Sequence, residues 1–587
     1  MSGRADPHRQ LSGFYGDRLS AAREMVEDGP IDVLTGDWLA ELTMLILARR
    51  RAKAPGHGYA GTFLPQMEQV LGTCLDRGIR VVTTAGGLDP DHLADDLATL
   101  ADRLGLAPRI AYVSGDDLVD RLDALAAAGT PVRDAHDGTP LARAGILTAN
   151  AYLGAFGIVE ALARGADVVV TGRVTDAALT CGPAAWHHGW APDDYDALAG
   201  AVVAGHILEC GAQATGGNYS FFGEVPGLEH VGFPWAEVAE DGSSVIGKHD
   251  GTGGEVSVGT VTSQLLYEID SPRYLGPDVV ARFDTVELRQ MGRDRVQVTG
   301  VRGEAPPATL KVACTELGGY RQDLEVALTG LDVEAKATLV ESAFWHASPY
   351  GPREFDRVTT HLARTEKADP QTNEEAVALW RITLRDADEA KVGRALADAA
   401  IGLALATIPG FFFPGRAPGA AEPVGIYRPA LVSADLVPQV VTVLGGERTV
   451  VAPRALEAPA AAPAPEDAPA GPVADEPCVR VPLGRVVGAR SGDKGGDANL
   501  GVFARSPEAW AWLDGFLTVE RLARLLPEVA RHRVARYRLA NLRALNFVIE
   551  GLLEEGVSSS SRQDRQAKGL SEWLRSRVVD VPARLLA

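Results

Sequence analysis

Between residues 30 and 180 the sequence repeats one plan, and the repeat restricts the chain to few architectures. "IDVLTGDWLAELTMLILARR" reads as a β-like run, a polar turn and an amphipathic helix. "IRVVTTAGGLDPDHLADDLATLADRLG" and "RIAYVSGDDLVDRLDALAAAG" follow the same order, and "ALARGADVVVTGRVTDAALTCGP" gives a helix end, an apolar run and a new helix start. Apolar, β-branched runs alternating with helices predict a parallel sheet covered on both faces. With right-handed crossovers the expected form is an α/β, Rossmann-like, doubly wound N-terminal region.

In such sheets ligands gather at the carboxyl ends of the strands. The polar clusters that follow the runs are therefore candidates for substrate binding: Asp37 after the first, Gly86 and Gly87 after the second, Arg173 and Asp176 after the fourth. Ser, Thr and Asp there also serve as helix caps, and Gly as the tight turn. The turn "TGDWLA" is no GxGxxG fingerprint, and GxxxxGK[ST] is absent from the sequence, so no nicotinamide, flavin or P-loop nucleotide is expected.

Residues 200–270 change character. "GHILECGAQATGGNYSFFGE" and "IGKHDGTGGEVSVGTVTSQLLYEIDSPRY" are rich in Gly and polar residues. Gly216, Gly217, Asn218 and Gly253 are candidates for close backbone approach to a substrate. His249 and Asp250 beside the Gly-rich run are candidates for proton transfer. His206 and Glu209, three apart, would share a helix face; that pairing also suits a metal, but two groups do not make a site, and no metal is assigned.

The chain of 587 residues exceeds a single core. Its expected division is a Rossmann-like region at 1–285, an α+β lobe at 286–452, an Ala/Pro-rich linker at 453–478 and a C-terminal α+β domain at 479–587. The net charge of −21 disfavours nucleic acid and anionic membrane surfaces. The five cysteines are far apart and form no CxxC, which excludes a disulfide framework or a Cys-rich zinc site. No apolar segment reaches membrane-spanning or signal-peptide length, so the expected location is cytoplasmic. Homo-oligomerisation is expected from the general habit of metabolic proteins.

The C-terminal domain opens with "ARSGDKGGDANLGVFARS", more charge and glycine than a hairpin turn requires. Read as a loop, its amides would form an anion nest. Arg490, Ser491 and Asn499 would bind substrate, and Asp493, Lys494 and Asp497 are catalytic candidates. That stretch, with "TGRVTDAAL", "GGNYSFFG" and "GTGGEVSVGTVTSQLLYEI", resembles the acyclic terpene utilisation protein A (AtuA) family over nearly the whole chain. The resemblance implies a ferredoxin-like C-terminal domain. It also implies a role in breakdown of acyclic terpenes or branched acyl-CoA compounds, beside pathway partners such as an acyl-CoA carboxylase and an enoyl-CoA hydratase. It assigns no catalytic residues. The long Ala/Pro stretch departs from a compact relative and suggests a more mobile C-terminal domain.

The leading expectation is a redox-neutral acid–base enzyme of hydratase or lyase type on an acyl-CoA or other carboxylated thioester. No cofactor is expected; a CoA thioester would enter as substrate. The alternatives are a non-catalytic binding or scaffold subunit of such a pathway, and a hydrolase or transferase whose nucleophile is Ser491 or Cys210.

Overall fold

The computed structural model describes residues 15–415, 418–453, 465 and 476–586, with the backbone of residues 6–12. The expected linker lies almost wholly outside the described residues. The chain divides into two compact units, one of Met1–Thr315, Tyr427–Val557 and Asp564–Ala587, the other of Glu316–Ile426 and Ser558–Gln563. This differs from the expected division at 285 and 452. Strands Glu287–Gly292 and Arg295–Thr299 extend the first unit's sheet from Ser244–Lys248, and Gln439–Val443 pairs with an edge of its parallel part. The C-terminal domain also belongs to the first unit rather than standing apart.

The first unit is mixed α/β. Its parallel strands are β1 (Asp6–Ser12), β2 (Val33–Gly36), β3 (Arg80–Thr83), β4 (Ile110–Ser114) and β5 (Val168–Thr171), arranged β1-β2-β3-β5-β4. Antiparallel strands extend both edges to eleven among the described residues. This order matches neither common doubly wound arrangement, so the Rossmann-like form of the expected α/β region is not confirmed.

The two-faced burial read from the sequence is present. Leu34, Val81, Ile110, Val168 and Val170 pack with helices α1 (Ala21–Glu27), α3 (Phe63–Arg77) and α4 (Pro90–Arg103), while α2 (Glu41–Lys53) sets Met44 and Leu47 in a smaller cluster with Leu39 and Leu88. The strand neighbours Val33, Val82, Ala111, Val113 and Val169 pack with α5 (Leu122–Ala127), α6 (Phe156–Ala163), α7 (Ala178–His188) and α8 (Tyr195–Leu208) on the other face. The period-two alternation makes each strand serve both cores. The chain advances from β1 to β4 and then returns to place β5 between β3 and β4. The connections leaving β3 and β5 therefore diverge to opposite faces, the arrangement that opens a crevice at the strands' carboxyl ends.

The C-terminal domain is an antiparallel sheet ordered β6-β7-β9-β8, from β6 (Val487–Lys494), β7 (Asp497–Ala504), β8 (Val534–Leu539) and β9 (Ala544–Ile549). The Gly-Asp-Lys-Gly-Gly stretch is not an open loop. It is a hairpin whose strands pair through Lys494 and Asp497, closed by Gly495 and Gly496 alone. Gly495 has φ +66°, the left-handed conformation two-residue hairpin turns require. The proposed anion nest is therefore absent, and Asp493 and Lys494 sit on a strand.

This domain packs on the rest of its unit through glycines. A Cβ on Gly501 would lie 2.5 Å from the Cβ of Leu266, and one on Gly492 2.5 Å from the Cε2 of Tyr267. Phe503, Leu539 and Ala544 join the same apolar core as α6 to α8.

In the second unit, strand Val377–Asp386 pairs antiparallel with Arg357–Ala363 on one side and with residues 320–329 on the other, and the sheet covers helices Val333–Ala347 and Arg394–Gly402 through Leu324, Phe344, Trp380 and Leu396. No described helix is long and apolar enough to cross a membrane.

Candidate functional site

Ionisable side chains meet in the first unit where the carboxyl ends of β2, β3 and β5 face the C-terminal hairpin. Asp37 leaves β2 buried, its Oδ1 accepting hydrogen bonds from Thr84 Oγ1 (2.9 Å) and Leu39 N (3.3 Å). Arg173 leaves β5 buried. Its guanidinium donates to Leu39 O (3.0 Å), lies 3.1 Å from Asp176 Oδ1 and stacks 4.2 Å from the centre of the Tyr152 ring. Asp116 supports this turn from below, accepting from Arg173 N (2.9 Å) and Asn150 Nδ2 (2.7 Å).

From Leu198 to Leu208 helix α8 is buried, so its last turn reaches the same place from within the core. His206 there is packed between Tyr274 and Phe283, both at 5.2 Å, with Nδ1 3.0 Å from Glu209 Oε1. Burial first, then the nearby Lys494 charge, pushes the His206 pKa down to about 4. Burial, then the charge of Asp176, holds the Glu209 carboxyl well above its usual range. At neutral pH the His206 ring is thus uncharged, and Glu209 holds its proton more tightly than an exposed carboxyl does. Among the described residues no group of three His, Cys, Asp or Glu is disposed to hold a metal ion.

The opposite wall comes from α9 (Val258–Leu265) and the hairpin. Helix α9 starts with a reciprocal Ser257–Thr260 cap, and its exit carries Tyr267 and Glu268. Glu268 takes φ +56°, an uncommon conformation for a non-glycine residue. Lys494 Nζ donates to the Glu268 carbonyl (2.8 Å). Lys568, from the C-terminal domain, lies 3.5 Å from Glu268 Oε1, 3.7 Å from Asp493 Oδ1 and against the Tyr267 hydroxyl. Arg490, buried over the Tyr267 ring at 4.3 Å, donates to Gln213 Oε1 (2.6 Å).

The Glu268 and Lys568 side chains keep 34% and 38% exposure while Tyr267, Asp493 and Lys494 pack around them, and this opening between the two walls is the cleft. Burial raises the Glu268 carboxyl to about 8, against Lys494, with Glu209 and Asp176 adding repulsion. Burial and then the Glu268 charge raise Asp493 to about 8. Burial lowers Lys568 to about 8. For Lys494 burial pulls the pKa down, but Asp270 and Glu268 outweigh it and the ammonium persists.

The two raised carboxyls hold their protons more tightly folded than unfolded, where 4.5 and 3.8 are the ordinary values. Their stabilising contribution is complete at acid pH and is lost as pH rises through about 8. Glu268→Gln, which mimics the protonated carboxyl, is expected to gain Tm relative to the unsubstituted protein as pH rises from 5 to 8. Calorimetry of both proteins across that range checks it; a Tm difference independent of pH would contradict the assignment.

The structure thus brings together Asp37, Arg173, Asp176, Arg490, Asp493, Lys494 and Asn499. Other candidates have structural partners elsewhere. His249 is buried with Nε2 3.0 Å from Met25 O, and Asp250 lies in an exposed turn. A Cβ on Gly86 would meet Thr171 O at 2.5 Å, and one on Gly253 would meet Gly227 O at 2.0 Å, so both serve close backbone packing. Gly87, at φ +54°, is confined by Leu47 and Gly58 O. Gly216 packs on Val225 and Gly217 on Ala212 O, while Asn218 takes φ +58° in the same turn. Asp497 staples the hairpin by accepting from Gly551 N (2.7 Å).

Ser491 donates to Ala567 O (2.6 Å) and accepts from Ser571 N (2.9 Å), fully buried. Ser491→Ala is expected to cost about 1–3 kcal/mol by leaving Ser571 N–H unpaired, without changing ligand response. Equilibrium denaturation with a ligand titration checks this.

Glu41, which burial raises against the charges of Lys311 and Lys494, Lys311 itself, whose Nζ lies 5.1 and 5.6 Å from the Tyr152 and Tyr427 rings, and Glu268, Lys568, Tyr267 and Tyr274 are site residues that sequence reasoning missed. The only available signal was "LLYEID", quoted for the family resemblance without a role.

A surface groove of about 510 Å³ lies elsewhere, in the second unit, lined by Glu334, Trp345, His361 and Trp380 among others. It lacks the converging cations and carboxyls of the cleft, which is the better candidate on chemical grounds.

Acid and base groups thus gather at the carboxyl ends of the parallel strands, the place where ligands lie in open α/β sheets. The sequence matches the model of the acyclic terpene utilisation family protein AtuA over residues 9–443 and that of the AtuA ferredoxin-like domain over 481–580, and the chain belongs to this family. No curated protein and no solved structure matches it.

Proposed function

We propose that the protein is a redox-neutral acid–base enzyme of acyclic terpene or branched acyl-CoA catabolism, of hydratase or lyase type, acting on an acyl-CoA or other carboxylated thioester. The observation that carries this reading is the pair of carboxyls, Glu268 and Asp493, both raised to about 8, that share Lys568 inside the cleft. Groups that titrate near neutrality can both donate and accept a proton during turnover. Arg173, Lys311 and Lys494 supply positive charge for an anionic substrate group and for the oxyanion that forms when a proton leaves the carbon beside a thioester.

Enclosing so many ionisable groups costs stability, which a scaffold has no reason to bear. The nucleophile reading is weakened by the engaged Ser491 hydroxyl and by burial that pushes the Cys210 thiol well above its usual range. Cytoplasmic location, homo-oligomerisation and association with an acyl-CoA carboxylase or enoyl-CoA hydratase remain part of the proposal.

Thermal denaturation against acyl-CoA thioesters, free CoA, nucleotides and divalent metals tests it. A ligand at about 100 times its Kd adds about 2.7 kcal/mol. The expected result is stabilisation by one acyl-CoA class, lost in Lys494→Ala. Equal stabilisation by free CoA, or no response to any acyl-CoA, would contradict the reading.

A further inference from the structure

We propose that Glu268 is the group that exchanges a proton with the substrate, and that the C-terminal domain holds it in place through the Asn499–Asn546 pair. This rests on the acid–base reading above.

The geometry singles out Glu268 among the cleft carboxyls. Asp37 is buried and tied to Thr84, Glu209 is buried against His206, and Asp176 is paired with the Arg173 guanidinium at 3.1 Å. Glu268 keeps a third of its side chain open to the cleft. Its backbone is fixed at both ends: the N–H donates to Asn499 Oδ1 (2.8 Å), and the carbonyl accepts from Lys494 Nζ (2.8 Å). Asn499 Nδ2 donates to Asn546 Oδ1, and Asn546 Nδ2 donates to Ile269 O (3.1 Å) and Asp270 O (2.6 Å).

Two fully buried amides from adjacent strands β7 and β9 thus bond residues 268–270 of the opposite wall. A left-handed non-glycine residue persists only where its surroundings over-determine it, and these bonds do so. The result aims the carboxyl at the cleft beside Lys568 and beside Asp493, which is close enough to share that ammonium. A scheme follows with balanced protons: the Glu268 carboxylate takes a proton from the carbon beside the thioester and becomes the carboxylic acid, the electron pair moves to the thioester oxygen among the cations, the acid exchanges its proton with water, and the reverse step returns one proton from Glu268 to the carbon.

The test has two arms. In the first, infrared spectra of protein labelled with ¹³C-glutamate are recorded from pH 5 to 10 without ligand. The expected result is one glutamate carboxyl ionising near pH 8 that is missing in Glu268→Gln, and that moves toward the ordinary glutamate range in Asn499→Ala, where the loop is released. A spectrum unchanged by Glu268→Gln overturns the assignment; an unchanged titration in Asn499→Ala overturns the positioning role. Because this arm needs no ligand, it decides the assignment even where the acyl-CoA panel gives no thermal shift.

In the second arm, deuterium exchange into the carbon beside the thioester of a branched saturated acyl-CoA is compared between proteins. Glu268→Gln is expected to slow exchange about 100-fold or more while keeping the ligand's thermal stabilisation. Exchange at the unsubstituted rate overturns the proposal.

Discussion

Arg173→Ala is expected to lower stability by about 3–5 kcal/mol, the cost of removing one partner from a buried charge network. The side chain is almost wholly enclosed, donates to Leu39 O and faces Asp176 at 3.1 Å. Its loss leaves a buried carbonyl without that donor and removes the positive charge that offsets the repulsion between Asp37, Asp176 and Glu209. It also removes the cation from the Tyr152 face. Arg173→Lys is expected to recover only part, because a single ammonium cannot span Leu39 O and Asp176 as the planar fork does. Calorimetry and urea denaturation check both substitutions. A Tm for Arg173→Ala within a degree of the unsubstituted protein would show that the guanidinium is not the site's central counter-charge.

Gly492→Val is expected to cost about 1–3 kcal/mol by overpacking and, beyond that, to disable the site. An added Cβ meets Tyr267 Cε2 at 2.5 Å and Glu268 Cγ at 3.2 Å, so the ring or the hairpin must move. Movement here separates Lys568 and Lys494 from Glu268, because all three meet along this seam. The expected signature is loss of ligand stabilisation out of proportion to the fall in Tm. Gly223→Ala is the control, since nothing lies within 4 Å of its added Cβ. Unimpaired ligand response in Gly492→Val would contradict the seam's part in the site.

One wall of the cleft was legible in the sequence and the other was not. Apolar runs such as "ADVVVTG" identify buried parallel strands, and the rule that ligands lie at strand carboxyl ends then selects Asp37, Arg173 and Asp176 without coordinates. The edge strands and the order β1-β2-β3-β5-β4 were hidden, because periodicity reports which face is buried but not which strand pairs with which.

Lys494 and Asp493 were found for a reason that the structure replaces. Gly492, Asp493 and Gly495 lower local strand propensity and resemble a loop, but pairing with β7 and docking on Tyr267 and Leu266 override that preference. Glu268 was illegible because its position depends on a left-handed backbone and on amides more than two hundred residues away. His249 beside "GTGG" looked like a proton carrier, yet its ring is spent on Met25 O in the core.

Carbodiimide coupling decides whether the C-terminal domain closes the cleft. The reagent activates a protonated carboxyl, which then forms an amide with an amine in contact, releasing the urea. On the unsubstituted full-length protein, at a pH just below 8, peptide mass spectrometry is expected to find an isopeptide bond from Lys568 to Glu268, whose Oε1 lies 3.5 Å away, with coupling to Asp493 at 3.7 Å beside it. The Glu268 product joins the two walls, and it should disappear in Gly492→Val. Lys568 coupled only to carboxyls of the C-terminal domain, with no bond to Glu268, would contradict the account.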